Sequence, residues 1–114
     1  MNASSRPSSF LAYDVMLEAV RDMRAATATI EKHDRDLGNQ LKRASASVVL
    51  NLAESNRLSS GNRRLRQQTA LGSLYEVRAV FDFAIAAGYL DDEQSAPTAA
   101  KLRRVGGLIY GLLR

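Results

Sequence analysis

From Leu37 to Arg57, the apolar residues Leu41, Ala44, Val48 and Leu52 recur every three or four positions, the spacing of one face of an α-helix. Ala46, Val49, Leu50 and Ala53 lie well off that face, so the same helix is apolar on two sides. A helix in a monomeric bundle needs to bury only one such stripe. The second stripe either sinks into a lopsided core or packs against another chain, and self-association is the expectation.

Three further helical segments follow the same rules. The first runs from about Leu11 to Glu31, carried by Tyr13, Leu17, Val20, Thr27 and Ile30. Asp34 or Asp36 can cap the helix just described. Ser59-Ser60-Gly61-Asn62 predicts a turn, and a long helix then extends to about Ala87, with Gly88 where a left-handed C-cap belongs. Asp91 and Gln94 fit a capping box for the last helix, although Pro97 would then fall deeper than the first turn. A start at Ser95 is the other option. Leu102, Val105, Leu108, Ile109, Leu112 and Leu113 carry that helix to the end.

No strand pattern or internal repeat competes. Four helices with short connections predict an all-α, up-down-up-down four-helix bundle forming a single domain over residues 11–114. Residues 1–10, MNASSRPSSF, read as a disordered leader, with no apolar stretch of a signal peptide. No apolar run reaches the roughly 18 residues of a membrane span, so a cytoplasmic protein is expected.

The residues also bound the chemistry. With no cysteine, thiolate nucleophiles, disulfides and cysteine zinc sites are excluded. His33 is the single histidine and falls in a charged loop. No phosphate-binding, dinucleotide-binding or zinc-protease motif is present. No catalytic residue, metal or cofactor is therefore expected.

The third side of the two-faced helix is a polar row, Arg43, Ser47, Asn51 and Glu54, and the next helix has a matching row, Arg66, Thr69, Ser73 and Glu76. A chain reversal near Ser60 would pair Glu54 with Arg66, Asn51 with Thr69, Ser47 with Ser73 and Arg43 with Glu76. On one reading this is a solvated face with ion pairs worth about 0–1 kcal/mol each. On the other it is a ladder partly buried at a subunit seam, where it fixes register. Each glutamate falls beside an arginine, which suits ion pairing better than general acid–base work, and neither serine has a base nearby.

Net charge is +4, and the excess lies wholly in the second half of the chain. An up-down bundle would gather Arg57, Arg63, Arg64, Arg66 and Arg114 at one end, with Arg6 in the leader. Glu31, Asp34, Asp36, Asp91, Asp92 and Glu93 would gather at the other, against Lys32 and Arg35. Clustered arginines suit bidentate contact with phosphates, which binds a nucleic-acid backbone without reading its sequence. The plainer reading is a solvated helix start. No aromatic RNA-binding pattern or recognition helix points to base readout. Two functions remain: nucleic-acid association, or an oligomeric scaffold that recruits a protein partner.

The stretch QLKRASASVVLNLAES (Gln40 to Ser55) resembles the second-helix signature of the four-helix-bundle proteins encoded in intervening sequences of bacterial 23S ribosomal RNA genes. ALGSLYEVRAVFDFAIAAGYL (Ala70 to Leu90) is similar to that family's third helix, with its A-x-G-S-x-x-E core and terminal GYL. The resemblance implies a left-handed up-down bundle, commonly a homopentameric barrel. A related protein, the accessory variability determinant of diversity-generating retroelements, is a basic pentamer that binds nucleic acid (RNA or DNA here) and partners a reverse transcriptase. Arg43, Ser47, Asn51, Glu54, Gly72, Ser73 and Glu76 fall on the family positions. Val49 stands where the family often has proline, which predicts a straighter helix, and Ser55 where it often has glycine.

Overall fold

The computed structural model describes residues 7–114, and their regular structure is entirely helical. The elements are α1 (Ser8–Asp22), α2 (Arg24–His33), α3 (Arg35–Arg57), α4 (Ser60–Ala86) and α5 (Asp92–Leu113). Five helices thus stand where four were predicted.

The difference arises at Met23, which divides the expected first helix, Leu11–Glu31, into α1 and α2. Its backbone sits at φ −87° and ψ 2°. The hydrogen-bond ladder nevertheless passes through it: Met23 N–H donates to Ala19 at 2.9 Å and Thr27 N–H donates to Met23 at 2.8 Å. The Thr27 hydroxyl donates to the same Met23 carbonyl at 2.8 Å, a back-bond that tends to bend a helix. A bend that keeps the ladder also keeps the apolar period, so the pattern of side chains did not reveal it. α1 begins three residues before the expected Leu11, with Pro7 at its N-cap. The rest of the expected leader, residues 1–6 with Arg6, lies outside the described residues.

The other boundaries follow local chemistry. Of the two aspartates proposed as the α3 cap, Asp34 serves, accepting from Leu37 N–H at 3.0 Å. With valine at position 49, α3 runs unbroken for 23 residues. Gly88 adopts φ 81°, the left-handed conformation that lets Tyr89 N–H close on the Ala84 carbonyl at 2.8 Å. Asp91 and Gln94 form the full capping box, with bonds of 2.7 and 3.0 Å, so α5 starts at Asp92 and holds Pro97 inside it. Asp91→Ala removes the acceptor from that box and is expected to lower unfolding stability by about 1 kcal/mol, read as an earlier urea midpoint.

Met16, Ile30, Leu41, Val48, Leu52, Leu74, Val77, Leu102, Val105 and Ile109 are all buried, so all five helices contribute to one core. α3 packs along α4, and α5 lies against α1 and α4. Lys101 of α5 reaches back to α1, 2.6 Å from Asp22 and 3.8 Å from Glu18. The hydrogen bond to Asp22 holds the lysine pKa above its ordinary value.

Two contacts define the ends of the molecule, which is 42 Å long. At one end Arg64 of α4 donates to the Leu113 carbonyl of α5 at 2.6 Å, beside the α3–α4 turn. At the other, His33 stacks on Tyr89 with ring centroids 5.0 Å apart, joining the α2–α3 corner to the α4–α5 corner. Among the described residues no helix is long and apolar enough to cross a membrane.

Candidate functional site

The five arginines expected to share one end are all exposed. Arg57 pairs with Glu54 one turn earlier in α3. Arg63 Nε donates to the Ser55 carbonyl at 3.2 Å and the Leu58 carbonyl at 2.8 Å. Arg64 holds the Leu113 carbonyl, as above, and Arg66 Nη1 reaches Asn51 Oδ1 at 3.4 Å. Arg114 follows directly on the last turn of α5.

Arg63 and Arg64 thereby explain why a helix should begin with cations that oppose its own macrodipole. In an antiparallel packing the start of α4 adjoins the ends of α3 and α5, where unpaired carbonyls carry partial negative charge. The arginines satisfy their neighbours' ends. Each guanidinium has five donors and these bonds use one or two, so the end keeps donors for an external anion.

At the opposite end the carboxylates are mostly engaged in structure. Asp34 and Asp91 cap helices. Glu31 pairs with Lys42 at 3.0 Å, while Asp36, Asp92 and Glu93 sit in first turns, where the macrodipole favours them.

The polar rows of α3 and α4 do face each other, but with one of the four expected pairings. Ser47 Oγ and Ser73 Oγ lie 2.7 Å apart. Arg66 bonds Asn51 instead of Glu54, because Glu54 is already taken by Arg57 in its own helix. Glu76 accepts from Gln40 Nε2 at 3.2 Å instead of from Arg43. Thr69 turns its hydroxyl back onto the Leu65 carbonyl at 3.0 Å, so it does not meet Asn51. Asn51 donates to the Ser47 carbonyl at 2.8 Å and to its hydroxyl at 3.1 Å. The row is therefore a short amide–hydroxyl chain, Arg66–Asn51–Ser47–Ser73, with the predicted ion pairs missing.

Ser47 and Ser73 are half-buried, so removing Ser47 strips the Ser73 hydroxyl of its partner, whereas removing Ser73 leaves Ser47 with the Asn51 amide alone. In a cycle of Ser47→Ala, Ser73→Ala and the double variant, we expect a coupling of about 0.5–1.5 kcal/mol in urea unfolding. Coupling below about 0.3 kcal/mol would make the pair a surface contact without consequence.

The second apolar set of α3 is not in the core of the chain. Leu50 is 66% exposed, Ala46 and Ala53 are exposed, and Val49 is half-buried against the core. Ala46, Val49 and Leu50 border a groove of about 550 Å³ that runs past the Met23 bend, walled opposite by Leu17 and Val20 of α1.

Sequence reasoning missed one cluster. Tyr75 of α4 and Tyr110 of α5 are exposed and line a groove of about 480 Å³ together with Arg64 and Arg114. They lie far apart in the chain, so no local aromatic motif joins them. A helical plot of α5 would have shown Arg103, Gly107, Tyr110 and Arg114 on the face away from Leu102, Val105 and Ile109.

The site residues hold one another. The two serines share a hydrogen bond, Glu54 lies against Arg57, and Glu76 lies against an amide. Among the described residues no group of three or more His, Cys, Asp or Glu could hold a metal ion.

Residues 10–111 match the family model described as 23S rRNA-intervening sequence protein. Among solved structures, the chain is similar to a Bacteroides thetaiotaomicron protein of unknown function from the S23 ribosomal protein family. That likeness has a TM-score of 0.78 at 18% identity and covers 90% of this chain and 98% of the other. No curated protein matches.

Proposed function

The chain belongs to the 23S rRNA-intervening sequence protein family, and from that premise we propose that it is a non-catalytic, homo-oligomeric helical bundle of the cytoplasm that associates with nucleic acid through its basic end. On this reading α1 and α2 are one bent member of an up-down-up-down four-helix bundle, which the unbroken hydrogen-bond ladder through Met23 supports. Five copies is the number implied by the family resemblance.

The observation that carries this reading is the polarity of the long axis. Arg57, Arg63, Arg64, Arg66 and Arg114 are exposed at one end, whereas at the other Asp34 and Asp91 cap helices, Glu31 pairs with Lys42, and Asp36, Asp92 and Glu93 sit in first turns. Partly satisfied guanidinium groups contact phosphates but carry no base code, so the association is independent of sequence. A ring of copies would repeat the cluster about one axis and raise weak single sites through avidity.

The groove beside Leu50 favours a second reading. If it does not close against another copy, it suits the apolar face of a protein partner, a reverse transcriptase being the kind the resemblance suggests. Anisotropy titration of labelled RNA and DNA fragments separates the two. The first reading expects binding at about 50 mM salt with little sequence preference. Absence of binding there leaves the scaffold.

A further inference from the structure

The outer seam of α4 and α5 carries side chains that neither helix packing nor the polar row uses. Tyr75 is 53% exposed and Tyr110 is 60% exposed, although Leu74, Val77, Leu102 and Val105 already fill the core beneath them. Gly72 is one wall of the groove they line, and a Cβ there would meet nothing within 4 Å, so the groove is open at that point. Arg64 and Arg114 stand at one end of it. Further along the same seam, Arg78 and Arg103 line a second depression, with Asp82 as its one acid. None of these four arginines is in an ion pair among the described residues.

The pattern is arginines, a pair of exposed rings, then arginines again. Mated face to face with the same seam of a second copy, the four arginines would repel one another. The pattern has the chemistry of a polynucleotide whose bases are free to stack. Aromatic rings offer every base a flat apolar partner, and guanidinium groups beside them hold the phosphates. A duplex has its bases already stacked inside and would gain nothing from the tyrosines. Arg64 and Arg78 are about 21 Å apart along α4 at about 1.5 Å per residue, a length of roughly six nucleotides stacked at about 3.4 Å.

We propose that the α4–α5 seam binds single-stranded nucleic acid, stacking bases on Tyr75 and Tyr110 between phosphates held by Arg64 and Arg114 at one end and Arg78 and Arg103 at the other. The assignment rests on the nucleic-acid reading above and specifies which form is bound and where.

The test is fluorescence anisotropy of the full chain with a labelled oligouridylate, a labelled oligothymidylate (each of about ten nucleotides) and a labelled hairpin duplex. On whichever single strand the wild type binds more tightly, Tyr75→Ala and Tyr110→Ala should each weaken binding about 5- to 150-fold. Duplex binding should stay within about twofold, because it uses phosphate contacts alone. Tyr75→Phe and Tyr110→Phe keep the ring and should keep the affinity. Circular dichroism and light scattering of each variant confirm the helical content and the assembly mass.

An equal loss on single strand and duplex overturns the seam assignment, and so does unchanged single-strand binding in the double alanine variant. A changed assembly mass in Tyr75→Ala or Tyr110→Ala also overturns it, since the rings would then contact another copy. These results leave the basic-end reading standing. Failure of the wild type to bind any of the probes at about 50 mM salt removes both.

Discussion

Leu50→Asp is expected to convert an assembly of five times the 12.5 kDa chain mass into monomers, with helical content retained. The expectation follows from where Leu50 stands. In a single chain it is 66% exposed, so an aspartate there meets water and costs the fold little. In an oligomer closed through α3, the same side chain would be covered by a neighbour. Burying a leucine is worth about 1.5–3 kcal/mol, and burying an unpaired carboxylate is opposed by considerably more. A closed ring would repeat that loss at every interface. Val49→Asp should also dissociate the assembly, but Val49 is half-buried against the core, so some loss of chain stability should accompany it. Light scattering at micromolar concentration reads the outcome. A wild type already at 12.5 kDa, or a Leu50→Asp variant that keeps its mass, would remove α3 as the assembly surface.

The elements and their caps were legible because each depends on residues close together in the chain. Apolar spacing fixes α3, Asp91 with Gln94 fixes the start of α5, and Gly88 fixes the end of α4. The Met23 bend was not legible, since it preserves the period that reveals a helix. The site was harder to read for a related reason. Registering two rows by residue number correctly placed Ser47 opposite Ser73, two short side chains whose reach barely exceeds their own backbone. Long side chains choose among several partners, and the nearest one in the same helix often wins, as Arg57 does for Glu54. Arg63 and Arg64 show a third limit. Their role as caps exists only once α3 and α5 bring their carbonyls to the start of α4.

The capping role bears on what their removal should do if the basic end also binds nucleic acid. Replacing Arg63, Arg64 and Arg66 together by Gln would remove up to three of the proposed phosphate contacts per chain. The log–log dependence of affinity on salt should flatten by up to about 2 units on a single strand and somewhat more on a duplex. Glutamine still offers an amide to the Ser55, Leu58 and Leu113 carbonyls, so the fold should survive with a lower melting temperature. Replacing the same three by Lys keeps the charge while losing the planar fork, and should leave the slope close to wild type. Arg21→Gln with Arg35→Gln serves as the distant control, since Arg21 lies on α1 and Arg35 opens α3 at the acidic end. Arg24 is a poorer choice because it borders the groove beside Leu50. A slope flattened only by the basic-end variant locates the phosphates there. If the distant control flattens it as much, net charge alone draws the polymer. If the glutamine triple leaves the slope unchanged, these arginines serve only to close the ends of α3 and α5.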